Sequence, residues 1–182
     1  MWVYVVYGTR SASIARVARS VATAVGWSKE YEARAAADIT PSEIRGPGLV
    51  FLGCASGGSE LDRTIRKFLD RLPGRVMGEV VWAVFDTRTT PHPAVAGAGI
   101  RRLRRAVEHR GGKLLVNPQS FYSNDETQGV LAFGELDRAR SWASSAIGAA
   151  VRRYGDPTVR SGALSGYSVR SQWEPLTTVA PT

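Results

Sequence analysis

One cysteine, two histidines and three lysines in 182 residues are the shortages that narrow this sequence most. A lone Cys54 cannot close an internal disulfide, and with only His92 and His109 available there is no Cys/His cluster at zinc-like spacing. Cys54 runs into Ala55-Ser56-Gly57-Gly58-Ser59-Glu60 without the following arginine that a cysteine-based phosphatase uses to hold oxyanions, so it reads as a small buried hydrophobe. No apolar run reaches the roughly 18 residues needed to cross a bilayer, and the N-terminus lacks a basic flank before an apolar stretch. The expectation is a cytoplasmic protein with no membrane partner. Acidic residues are also scarce: 16 Asp+Glu stand against 24 Lys+Arg, a net charge of +8 that favours acidic partners such as nucleic acid but says nothing of fold. No residue stands out for acid–base or nucleophilic catalysis, and no metal site is readable.

What is present is an alternation of apolar runs and helical periods. Trp2–Tyr7 is strand-like, and Ile14, Val17, Ala18, Val21, Ala22 and Val25 follow at helical spacing. A weak strand is expected near Glu30–Ala36. Gly48–Gly53 is a short continuous apolar run of the kind found in a strand covered on both faces. A helix over Ser59–Leu72, opened by Ser59 and closed by Pro73-Gly74, comes next. Glu79–Phe85 reads as a strand. Ile100, Leu103, Ala106 and Val107 mark one side of a helix ended by Gly111-Gly112. Lys113–Val116 reads as the last strand, and a closing helix runs from about Gly134 to Tyr154.

Strands alternating with helices imply an α/β three-layer sandwich around a five-stranded parallel sheet, with ligands bound outside the carboxyl ends of the strands. That brings together Gly8–Ser13, Gly53–Gly58 and Asp86–Val95. Residues 1–154 form the expected domain. Residues 155–182, with Pro157, Pro175 and Pro181 and no sustained period, read as an extended or disordered tail.

The loop Gly8-Thr9-Arg10-Ser11-Ala12-Ser13 lacks the G-x-G-x-x-G of dinucleotide sites and the G-K-[ST] of P-loops. It does place hydroxyls at a strand-to-helix turn, where backbone amides and Ser/Thr side chains make an anion site. The plainer alternative is an N-cap cluster for the first helix. Thr9-Arg10-Ser11-Ala12-Ser13-Ile14 in part follows the [ST]-x-T-G-x-T loop of the flavodoxin-like family, which the sequence resembles over about residues 2–150. The later segments carry more of the likeness: "LVFLGCASGGSELDRTIRKFLDRL" at Leu49–Leu72, "FDTR" at Phe85–Arg88, and "GVLAFGELDRARSWA" closing Pro118–Trp142.

This resemblance implies a flavodoxin-like strand order 2-1-3-4-5 and FMN as cofactor, bound by Thr9, Arg10, Ser11, Ala12, Ser13 and Ile14 at the phosphate. The flavin ring would meet Cys54, Ala55, Ser56, Gly57 and Gly58 in the second loop and Asp86, Thr87, Arg88 and Thr89 in the third. It also implies electron transfer with a redox partner protein. Ala12 stands where the family has glycine and Ile14 where it has threonine. Neither Gly53–Ser59 nor Asp86–Val95 offers an aromatic to stack on the ring beyond His92, which leaves Tyr122, Tyr167 or Trp173.

The alternative is a flavin-free module of the same fold for an acidic partner. For that role Gly97–Lys113 supplies Arg101, Arg102, Arg104 and Arg105 outside an apolar side of Ile100, Leu103 and Val107, either as a solvated face or as a polyanion footprint. Glu135 reads as a first-turn carboxylate favouring the closing helix.

Overall fold

Valine, tyrosine and tryptophan in Trp2–Tyr7 suit a pleated, buried surface, and this run forms strand β1 in the computed structural model. The structure describes residues 1–8, 11–25, 33–56, 61–89, 97–125 and 128–154. After β1 come α1 (Ala12–Val25), β2 (Ala33–Ala35), β3 (Gly48–Ala55), α2 (Arg63–Arg71), α3 (Gly74–Glu79) and β4 (Val80–Arg88). They are followed by α4 (Ala98–His109), β5 (Lys113–Leu114), β6 (Gln119–Asp125), β7 (Val130–Leu131) and α5 (Glu135–Tyr154). The tail lies outside the described residues.

The sheet runs β2-β1-β3-β4-β6-β7, with β5 also beside β4. Every pairing is parallel except β6 with β7. This is the expected order with its fifth position divided. β5 pairs with Val81 and Trp82 near the start of β4, and β6 pairs with Phe85–Arg88 at its end.

Period-two alternation sorts the strand side chains between two cores. Val3, Val5, Leu49, Phe51, Val81 and Phe85 face α1 and α5, whose Ile14, Val17, Val21, Ala139, Ala143 and Ala146 are buried against them. Val6, Val50, Leu52, Trp82 and Val84 face α2, α3 and α4 through Ile65, Phe68, Met77, Leu103 and Val107. With both faces covered, β3 and β4 are buried along nearly their whole length, which is why they read as unbroken apolar runs. Each such leucine, valine or phenylalanine contributes about 1.5–3 kcal/mol by leaving water.

Four expectations change in detail. The cap of α2 is Asp62, whose side chain accepts from the Thr64 amide at 2.7 Å, and the helix starts at Arg63 rather than Ser59, which lies outside the described residues. Glu79 closes the short helix α3 instead of opening a strand. Lys113–Val116 is cut to a two-residue strand, because the chain leaves the ladder and rejoins β4 only at Gln119. β4 extends through Arg88, so Asp86, Thr87 and Arg88 belong to a strand and not to the loop that follows. Among the described residues no helix is long and apolar enough to cross a membrane.

Candidate functional site

Parallel strands direct their carboxyl ends to one edge, and the three segments singled out from the sequence meet there. β1 ends at Tyr7, and Ser11 and Ala12 open α1 beside it. Ser11 Oγ accepts from the Ser13 amide at 3.1 Å, as an N-cap does one residue before a helix. The Ser13 hydroxyl turns the other way. It is wholly buried, 2.6 Å from Ser123 Oγ and donating to the Asp125 carbonyl at 3.1 Å, and so joins α1 to β6. Ile14 is fully buried in the core, which leaves only its backbone to face a ligand. Ala12 is exposed, with Gly129 packed against it, and Arg16 donates to the Gly129 carbonyl at 2.6 Å. Thr9 and Arg10 lie outside the described residues.

The second and third segments are joined by a buried polar pair. Ser56, just past β3, donates its hydroxyl to Asp86 Oδ2, while its amide bonds the Thr87 carbonyl at 2.8 Å. Asp86 is inaccessible to water, and burial pushes its carboxyl up from the ordinary aspartate value. Hydrogen bonding from Ser120 and Ser56, the charge of Arg88 and the Ile100 amide work the other way. Gly99, in the first turn of α4, packs so closely on Ser56 that a side chain there would collide with it. Thr87 is also buried, and Cys54 belongs to the second core. Among the described residues of the third segment, Arg88 and Thr89 are the accessible side chains. Arg88 donates to the Tyr122 hydroxyl at 3.2 Å and lies 5.0 Å from the ring centroid, so one face of this aromatic is already occupied by a cation. Gly57, Gly58 and His92 lie outside the described residues.

Two residues gain roles that the sequence did not disclose. Asp62 is 2% exposed; its Oδ1 caps α2, while Oδ2 is buried beside Gly8 with no hydrogen-bond partner among the described residues. The sequence placed the cap at Ser59, and the approach of the second Asp62 oxygen to the end of β1 had no signal in it. Glu135 does more than favour the start of α5. Its Oε2 accepts from the Tyr122 amide at 2.8 Å, and Oε1 takes Arg138 Nε at 2.9 Å. Arg138 in turn donates to the Ser120 carbonyl at 2.5 Å and lies over the Phe121 ring at 4.7 Å. Burial opposes the Glu135 charge, yet Arg138 and the Tyr122 amide outweigh it and hold the carboxyl below its ordinary value. The Gly-Glu-Leu-x-Arg segment is thus a clip that fastens β6 to α5.

Could this edge hold FMN? The donor set is reduced but compatible. The Ser11 hydroxyl and the leading amides of α1 make an anion-favouring helix start, because the first amides of a helix have no partner within it. The orphaned Asp62 Oδ2 is an acceptor matched to a hydroxyl such as those of a ribityl chain. Two family positions contribute less here: Ile14 offers no hydroxyl, and that of Ser13 is engaged with β6.

A parallel sheet in this order with its polar groups at the carboxyl edge defines an α/β protein of the doubly wound class. Among solved structures the chain is similar to oxidised Flavodoxin 1 from Bacillus cereus, at 12% identity and a TM-score of 0.63 over 81% of this chain and 98% of that one. It is likewise similar to a flavodoxin from the domain Archaea, at 13% identity and TM-score 0.62 over 82% and 99%. A WrbA-like flavodoxin from Agrobacterium tumefaciens matches at 16% and 0.62 over 85% and 98%. The fold is flavodoxin-like. No protein-family profile and no curated protein matches the sequence.

Proposed function

We propose that the chain binds FMN at the carboxyl edge of its sheet and serves electron transfer to a partner protein. The observation that carries this reading is the convergence, on a flavodoxin-like sheet, of a Ser-capped helix start at Ser11 with an orphaned, buried acceptor at Asp62 Oδ2. Ser11, the α1 amides, Thr9 and Arg10 would hold the phosphate. Asp62 would take a ribityl hydroxyl. Among the described residues, Ser56, Arg88 and Thr89 are the side chains of the second and third segments that would be available to the ring.

When bound, FMN supplies one- and two-electron redox chemistry, and the protein's part is to hold it and set its surroundings. Arg88 contributes a positive charge at that edge, which favours a reduced, anionic ring. Burial raises the Asp86 carboxyl above its ordinary value, and its side chain accepts from Ser56 rather than facing the ligand edge.

The test is a visible absorption spectrum of the purified chain supplemented with FMN, followed by titration. Saturable binding with a shifted flavin spectrum is expected. Absence of saturation up to about millimolar ligand, which corresponds to about 4 kcal/mol, rejects the reading. A second reading, a flavin-free module of the same fold, draws support from the core placement of Ile14 and from the packing of Gly99 over Ser56. The same titration separates the two.

A further inference from the structure

The arginines of α4 do not stand alone. α2 follows β3 and α4 follows β4; these strands are neighbours, so the two helices lie side by side on the same face of the sheet. α2 presents Arg63, Arg66, Lys67 and Arg71 against Asp70, and α4 presents Arg101, Arg102, Arg104 and Arg105 against Glu108. Both carboxylates are already engaged: Asp70 with Arg110 across the helix pair, Glu108 with Arg104 at 2.9 Å. Arg63, Arg66, Lys67 and Arg105 are exposed, and among the described residues none has an acidic partner within ion-pair distance.

We infer that this helix pair is a docking face for the phosphate backbone of a duplex nucleic acid, bound without regard to sequence. Charge complementarity alone would admit an acidic protein or an anionic membrane, but the apolar content of the face decides among them. A protein interface needs buried anchors and a membrane-surface helix needs an apolar wedge. The large hydrophobic side chains exposed among the described residues are Val130 and Phe133, neither of them on α2 or α4. A field of guanidinium forks without apolar anchors suits phosphate oxygens, which arginine pairs through two parallel hydrogen bonds. The dimensions agree. A helix the length of α4 spans roughly 18 Å, and that length of duplex axis carries about ten phosphate charges, enough to meet Arg63, Arg66, Lys67 and Arg105 together. Phe68, the aromatic among them, is buried in the core, so base stacking is not expected. The face is the outer side of the helical layer, and its binding does not depend on whether FMN occupies the sheet edge.

The experiment uses the full chain and a fluorescently labelled DNA duplex of about 20 base pairs, with anisotropy read at several salt concentrations. Each phosphate contact adds about −0.9 to the slope of log K against log salt, and the unaltered chain is expected to show a slope of about −3 or steeper. A combined Arg63→Gln, Arg66→Gln, Lys67→Gln, Arg105→Gln variant should lose about sixtyfold or more in affinity near 0.1 M salt, the equivalent of two contacts. A control with the same charge change on the other helical layer, Arg19→Gln, Arg140→Gln, Arg152→Gln, Arg153→Gln, should stay within about threefold of the parent. Equal losses in the two variants would assign the effect to net charge and overturn the inference. So would a shallower slope in the parent, or capture of anionic phospholipid vesicles without binding of duplex. The parent's slope requires no variant to fold, and any flavin spectrum should be the same in all three proteins.

Discussion

Ser11 and Ser13 sit two residues apart at the same turn, and exchanging each for alanine should produce different losses. Ser13 Oγ is fully buried between Ser123 Oγ at 2.6 Å and the Asp125 carbonyl at 3.1 Å. The Ser13 and Ser123 hydroxyls have one hydrogen each, so at about 1 kcal/mol net for each donated bond Ser13→Ala removes about 1 kcal/mol of stability. For a chain of this size each kcal/mol moves the melting temperature by roughly 2–4 °C, so a fall of about 3 °C is expected by circular dichroism. Ser123 is not stranded by the change, because its hydrogen can go to the Val130 carbonyl at 2.8 Å. In a double-mutant cycle with Ser123→Ala the two losses should therefore nearly add. Ser11→Ala gives up an N-cap, costing about 1 kcal/mol, and in addition weakens FMN binding about tenfold through the lost charge-assisted bond. If Ser13→Ala leaves the melting temperature unchanged and weakens FMN as Ser11→Ala does, the Ser13 hydroxyl faces the ligand and its assignment to the α1–β6 junction fails.

Three further expectations follow from buried contacts. Burial raises the Asp86 carboxyl above its unfolded value near 3.8, so the folded state carries a penalty that appears as pH climbs through that value and is complete above the folded one. Asp86→Asn should then gain stability relative to the parent as pH rises through about 3.8 in urea unfolding, and a difference that stays flat with pH counts against it. In β3, Gly53 lies beneath the Phe85 ring, where a methyl group would collide with it, and Gly53→Ala should cost about 3 kcal/mol in denaturant melts. Glu135→Ala strands the Tyr122 amide and should cost about 1–3 kcal/mol at neutral pH, with faster hydrogen exchange at Tyr122 than at other β6 amides. Since that carboxyl is lowered from 4.5, the loss should shrink as pH falls from 4.5 into the acid range where the folded carboxyl is protonated; a loss that holds undiminished in acid points to packing instead.

Local pattern disclosed the strands and helices that have a period to show. Leu49–Leu52 and Ile14–Val21 announced a doubly covered strand and a helix face through composition alone, and the parallel order followed from alternation. β6 was invisible because Gln119-Ser120-Phe121-Tyr122-Ser123-Asn124-Asp125 is mostly polar. It holds its place through the Glu135–Arg138 clip, a contact between residues more than ten apart. The three loops of the candidate site were found by their position after strands. The inward turn of Ser13 and the orphaned oxygen of Asp62 depend on tertiary approach, and sequence spacing carries no signal of either. The basic face was half legible: the arginines of α4 form one dense run, whereas those of α2 join them only because β3 and β4 are adjacent.

The divided fifth strand bears on whether a second copy could extend this edge of the sheet. An unbroken outer strand would present a row of unpaired amides and carbonyls on which a second molecule could extend the sheet. Here β5 lasts two residues, Leu115–Pro118 interrupts the run with a residue that has no amide hydrogen to offer, and β7 lies along β6 at Ser123 and Asp125. Lys113, exposed at the start of the edge, adds a charge that an incoming copy would have to bury. The break that hid this strand from pattern also leaves this edge without a continuous template for an incoming strand.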